Sequence, residues 1–215
     1  MPQPYRPLAT LGALLGWFGL VLQFWMSVRQ TGGVLAGVWL LLGFYTILTN
    51  LSVVAALTAT ALGPRGALTR FFLRPGVQTA LAMSITIVGL IYNVMLRGLW
   101  HPEGWQLLAD VIVHDIMPVL YLVYWWLAVA KRDLRWHQVL VWQSYPAAYF
   151  FYVLLRGMID GWYPYPFLDV KTLGYAQVLI DACFVLLAFM AVGLVLVALG
   201  RWQARRRGEM VAGAA

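Results

Sequence analysis

Charge is scarce in this chain. Lys and Arg number 15 and Asp and Glu eight, together 11% of 215 residues, against roughly 25% in a soluble globular domain. With 62% hydrophobic residues and a mean hydropathy of +0.77, there is too little polar surface for an ordinary water-soluble fold. Cysteine is nearly absent: Cys183 stands alone, which excludes an intrachain disulfide and any cysteine-built zinc site. Of the three histidines only His114 lies inside an apolar segment, so a haem held by two histidines across a bundle is excluded. No H-E-x-x-H, glycine-rich phosphate loop or G-x-S-x-G elbow occurs. No cofactor or metal is therefore expected. Water activated by a metal on His114, Asp110 and Asp181 stays as a third reading.

What the chain does have is long apolar runs. Six recur, at about 8–28, 34–62, 77–96, 105–130, 137–155 and 172–199, followed by a basic tail at 200–215. Each approaches or exceeds the roughly 20 residues that cross a bilayer. Backbone polar groups in hydrocarbon must be satisfied within each segment, so the expected fold is all-α, a polytopic bundle of six transmembrane helices. The first run exceeds the length of a signal-peptide core and no A-x-A-like site follows it, so it reads as a retained helix. No linker or internal repeat divides the chain, and a single domain over 1–215 is expected.

The net charge of +7 sorts by loop rather than forming a nucleic-acid surface, and no nucleic-acid partner is expected. Eleven basic residues fall in the N-terminus, the 63–76 and 131–136 loops and the tail, while the alternate loops hold Arg29, Arg97, Arg156 and Lys171. The positive-inside rule then places both termini in the cytoplasm. Trp100, Trp105, Trp162, Tyr163 and Tyr165 near the outer ends, and Trp125, Trp126, Trp136 and Trp202 near the inner, read as aromatic belts. The outer 157–171 loop is either a lid over the bundle or an interfacial anchor.

Against that background the polar residues in apolar segments stand out. Such groups usually face a bundle interior or a wet cavity. Thr46, Thr49 and Asn50 share a face of the second segment, a pattern that interhelical hydrogen bonding alone also explains. Asn93 and Arg97 end the third segment, Asp110, His114 and Asp115 lie in the fourth, Arg156 closes the fifth, and Asp181 sits in the sixth. At ~1.5 Å per residue His114 is roughly 14 Å from the outer end of its helix, with Asp181 and Thr46 at similar depth. A polar pocket in the outer half of the membrane collects them. Asp110, one turn before His114, either orients the imidazole or neutralises Arg97 or Arg156.

These residues resemble a family. FYTILTN in the second segment, the D-x-x-x-H-D-x-x-P run from Asp110 to Pro118, and YPFLD at 165–169 are similar to six-helix membrane proteins of the androgen-induced type. These are intramembrane hydrolases of fatty-acid esters of hydroxy fatty acids, with bacterial relatives. The resemblance implies a threonine nucleophile in the second helix and a histidine base in the fourth. His114 takes the base position because Pro118 follows at the family spacing. Thr46 takes the nucleophile position with Thr49 in reserve, since this chain has Tyr-Thr-x-x-Thr-Asn where animal members resemble Leu-Thr-x-x-Asn. Asn50, Asn93, Asp110, Arg156 and Asp181 are then expected to bind substrate or support the pair. The expected function is hydrolysis of a lipid ester drawn from the membrane. The alternative is a transporter or lipid-binding sensor with a His/Asp relay.

Overall fold

The structure, a computed structural model, describes residues 5–208; the last part of the expected tail, 209–215, lies outside the described residues. It is all-helical, with no strand among the described residues. The helices are α1 (Arg6–Thr31), α2 (Val34–Leu42), α3 (Tyr45–Leu62), α4 (Ala67–Phe72), α5 (Pro75–Ile91), α6 (Gly104–Val111), α7 (Met117–Ala128), α8 (Gln138–Trp142), α9 (Ser144–Asp160) and α10 (Val170–Arg206). Five helical stretches are long and apolar enough to cross a membrane: Arg6–Thr31, Tyr45–Leu62, Pro75–Leu99, Gly104–Ala128 and Val170–Arg206. That architecture is compatible with a multi-pass helical membrane protein.

Several expected boundaries move, each for a local reason. The single helix expected over 34–62 is two helices. At the join Phe44 is extended (φ −92, ψ 126), and the Gly43 carbonyl accepts the Tyr149 hydroxyl at 2.8 Å. A side chain at Gly43 would collide with Arg156 and Trp162, whose atoms lie 2.5 and 2.6 Å from an added Cβ. The helix expected over 137–155 is the short α8 and the 17-residue α9, which ends at Gly161 in the left-handed conformation that glycine adopts without strain. The last helix begins at Asp169, whose carboxylate accepts the Lys171 amide and the Thr172 hydroxyl. Those bonds, the Thr172 hydroxyl foremost, hold its carboxyl below the usual range. The helix bends at Gly174 (φ 75) and continues through 200–206, where a tail was expected.

α3 forms the centre, with 61% of its spanning window buried against 28% for α10. α1 lies against α7, α3 and the segment at Ile112 before α7 through Gly12, Gly16 and Gly19. An added Cβ at these positions would meet Leu120, Val54 and Ile112 at 2.6, 2.3 and 2.6 Å. Small residues one turn apart let helices approach closely where lipid offers no hydrophobic drive. The opposite side of α3 is spaced by rings: Tyr45 packs on Tyr145, Tyr149 and Phe189 with centroids 5.0, 5.0 and 5.6 Å away.

The basic loops share one end. Arg6 approaches Gly63, and Arg201 donates to the Leu134 carbonyl at 3.1 Å. Two expected belt residues are instead internal. Trp125 is buried and donates to Thr79, and Tyr165 is buried beside α3.

Candidate functional site

Two of the long helices leave α geometry at the same level. Residues Tyr92–Leu96, after α5, and Ile112–Ile116, between α6 and α7, form π-helical turns. Such turns are uncommon and often mark functional positions. Pro118 bears on the second, since it has no N–H to give the His114 carbonyl four residues earlier. Gly89 admits the distorted segment: an added Cβ there would lie 3.2 Å from Pro118 and 3.3 Å from the His114 carbonyl oxygen.

The two turns present a compact polar unit. The Tyr92 ring stacks on the His114 imidazole at 3.8 Å and 12°, and its hydroxyl donates to Asp110 Oδ2 in a short hydrogen bond. His114 Nδ1 meets the Asp110 carbonyl oxygen at 3.1 Å. A carbonyl only accepts, so the contact places a proton on Nδ1; in the neutral imidazole the lone pair is then on Nε2. Asp110 Oδ1 is also 3.1 Å from Nδ1, but out of alignment and without a hydrogen bond. The imidazole is thus oriented through the Asp110 backbone, while the carboxylate is taken up by Tyr92. Asp110 neutralises neither arginine: Arg97 pairs with Asp115 at 2.5 Å and Arg156 with Asp160 at 3.0 Å.

His114 and Asp110 line a cavity of about 410 Å³, and Thr46 lines it with them. The break before α3 puts Thr46 in the first turn of that helix, where backbone N–H groups lack intrahelical partners and the helix dipole is positive. Its N–H donates to the Tyr165 hydroxyl at 3.4 Å. Among the described residues no hydrogen bond joins the Thr46 hydroxyl to His114; a shared cavity relates them. Trp162, Pro164, Tyr165 and Pro166 also line the cavity, so the 157–171 loop forms part of its wall. Arg156 backs that wall, its guanidinium between the Trp39 and Trp162 rings at 4.3 and 5.0 Å.

The remaining expected residues lie elsewhere. Thr49 is fully buried outside the cavity, its hydroxyl 3.2 Å from that of Tyr145. Asn50 ties α3 to the second π turn, donating to the carbonyls of Thr46 and Val113 at 2.9 and 3.2 Å. Asn93 is exposed and donates to Asp115. Asp181 is partly exposed on α10 with Gln177 for a partner at 2.8 Å. Among the described residues no group of three or more His, Cys, Asp or Glu could hold a metal ion, so Asp181 does not join His114 and Asp110 in the third reading. Tyr92, absent from the expected set, is the side chain most intimately bound to His114. Its neighbour Asn93 is the nearest polar residue to it along the same segment.

The class defined by fold and site is an all-helical bundle with apolar spans and a polar cavity. Comparisons with protein-family models, curated proteins and solved structures give no match to this chain.

Proposed function

We propose that the protein is an intramembrane hydrolase of lipid esters in which Thr46 is the nucleophile and His114 its base. The observation that carries this reading is the cavity shared by Thr46, at the N-terminus of α3, and His114, whose Nε2 holds the lone pair in the neutral ring. A threonine hydroxyl becomes nucleophilic only when a base takes its proton. Nε2 accepts that proton as Thr46 Oγ bonds to the ester carbonyl carbon. The tetrahedral oxyanion lies near the positive end of α3 and the Tyr165 hydroxyl, groups suited to hold it. Collapse breaks the ester C–O bond, and the proton on Nε2 passes to the departing alkoxide. Water, deprotonated by the same nitrogen, then adds to the acyl-threonine carbonyl; collapse expels Thr46 Oγ, which takes the proton back from Nε2, and the acid is released.

In this reading the bundle crosses a bacterial inner membrane six times, α2 with α3 forming the second crossing and α8 with α9 the fifth. The basic end and both termini face the cytoplasm, and the cavity opens in the outer half. Purified protein should label with a fluorophosphonate probe, and Thr46→Ala and His114→Ala should abolish labelling while Thr49→Ala retains it. Labelling that survives both Thr46→Ala and Thr49→Ala overturns the proposal.

The missing hydrogen bond between Thr46 and His114 favours a second reading, a lipid-binding sensor or transporter in which Tyr92, Asp110 and His114 serve as a polar ligand site. It predicts saturable lipid binding without product.

A further inference from the structure

Behind Thr46 the polar cavity meets a second, apolar compartment. Thr46, Tyr92, Leu96 and Tyr165 line both. The second is a slot of about 70 Å³ between α5, α9 and α10. It exists because Tyr45 props α9 and α10 away from α3 with stacked rings. Apart from Thr46 and four tyrosine hydroxyls, its walls are aliphatic, aromatic or proline side chains, with Ile87, Ala182 and Phe189 among them. At roughly 30 Å³ per water molecule the slot is too small for a whole chain. It is not closed, however: Phe150, Val185 and Leu186 at its edge are only half-buried. Beyond them Phe151, Phe184 and Leu187 are 67, 66 and 64% exposed on the lipid-facing surface. A hydrocarbon chain seated there keeps one end against Thr46 and the rest along an apolar face.

The polar cavity has a different character. Gln23, Gln30 and Gln106 line it, and their carboxamides make no hydrogen bond among the described residues. No Lys or Arg lines it, and its one charged group by nature is the buried Asp110 carboxyl. Two arginines lie just outside the lining and each is already paired: Arg97, over the Tyr92 ring, with Asp115, and Arg156, behind Trp162, with Asp160. An anionic headgroup would therefore be desolvated beside a carboxyl with no unpaired Lys or Arg in the lining to meet it, which is costly. Hydroxyl groups, which donate and accept, suit free carboxamides.

We infer that the two compartments together bind an uncharged ester amphiphile, with its hydrocarbon chain in the slot, its hydroxyl-bearing part in the cavity and its ester carbonyl at Thr46. This rests on the hydrolase reading for the position of the ester but not for the binding of the lipid. The test uses full-length protein in nanodiscs with three probes: monopalmitoylglycerol, a palmitoyl ester of a hydroxy fatty acid bearing a free carboxylate, and lysophosphatidylglycerol. The uncharged ester should be turned over with a kcat/KM about tenfold or more above either anion, and Ala182→Trp or Leu186→Trp should cut the ratio of long-chain to acetyl ester turnover by about tenfold or more. Equal or better turnover of an anionic ester overturns the inference. If no ester is hydrolysed, the hydrolase reading fails while the binding inference is read separately with a diazirine-bearing monopalmitoylglycerol. Crosslinks mapping to α9 and α10 around Phe150 and Ala182, displaced by monopalmitoylglycerol but not by lysophosphatidylglycerol, support it. Crosslinks mapping elsewhere, or displaced equally by the anionic lipid, overturn it.

Discussion

The α1 side and the α9–α10 side of the bundle bury apolar surface by opposite means. On the α1 side three glycines bring Leu120, Val54 and Ile112 onto the helix backbone, with no room for even one more methyl group. On the other side tyrosine and phenylalanine rings fill the interhelical space at centroid separations of 5.0–5.6 Å, and a slot remains. Glycine contact fixes a helix in place, whereas ring contact sets a distance. The polar site lies where the two regimes meet. His114 sits on the π turn that faces Gly19 of α1 through Ile112, and Thr46 sits on α3 next to the rings.

The largest expected effect is on chemistry at that meeting point. His114→Ala should lower ester turnover by about 10²–10⁴-fold, the usual contribution of a general base. The melting temperature in detergent should stay close to that of the parent, and a parallel loss of folding would mean His114 is chiefly a packing residue. Gly16→Leu comes next. Forcing a side chain into a space where a Cβ already meets Val54 at 2.3 Å should destabilise by about 1–3 kcal/mol. Ala182→Leu, on the slot side, should cost less than about 1.5 kcal/mol, as extra methylenes enter free volume. Equal losses in thermal unfolding would break the distinction between the two sides.

Tyr92→Phe should have a smaller, mixed effect. It removes the hydroxyl that satisfies a buried Asp110 oxygen, at about 1–3 kcal/mol for a group left unpaired. It retains the ring stacked on His114, so turnover should fall less than in His114→Ala. Asp181→Asn is expected to change stability and turnover least, within about 0.5 kcal/mol, as for surface positions generally. A large loss of activity there would place Asp181 in the site after all.

Much of the architecture was legible because hydropathy reports directly on burial in lipid. The apolar runs at 8–28, 77–96, 105–130 and 172–199 correspond to helices, with ends shifted by a few residues. The break at Gly43–Phe44 was not legible, since VLAGVWLLLGFYTILTN is continuously apolar and the interruption depends on Tyr149, Arg156 and Trp162 from distant parts of the chain. That break moves Thr46 from mid-helix to a helix start. Thr46, Asp110 and His114 do share a cavity, but depth counting also gathered Asn93, Arg156 and Asp181, because depth says nothing of which way a side chain faces. Tyr92 escaped notice for a related reason: one aromatic in an apolar helix carries no signal until its partner is known.

The π turn at Ile112–Ile116 separates two neighbours in sequence that lead different lives. His114 belongs to the interior and touches Asp110, whereas Asp115 belongs to the perimeter and touches Asn93 and Arg97. A π turn holds one residue more than the α-helical turn it replaces. Deleting a single residue from this segment would restore a regular helix of nearly the same length and leave its flanks facing as they do, but would change which side chain of the turn points inward. The identity of the inward-facing group is thus held in the count of residues as much as in their kind, and a frame of one residue separates a bundle with this site from a bundle without it.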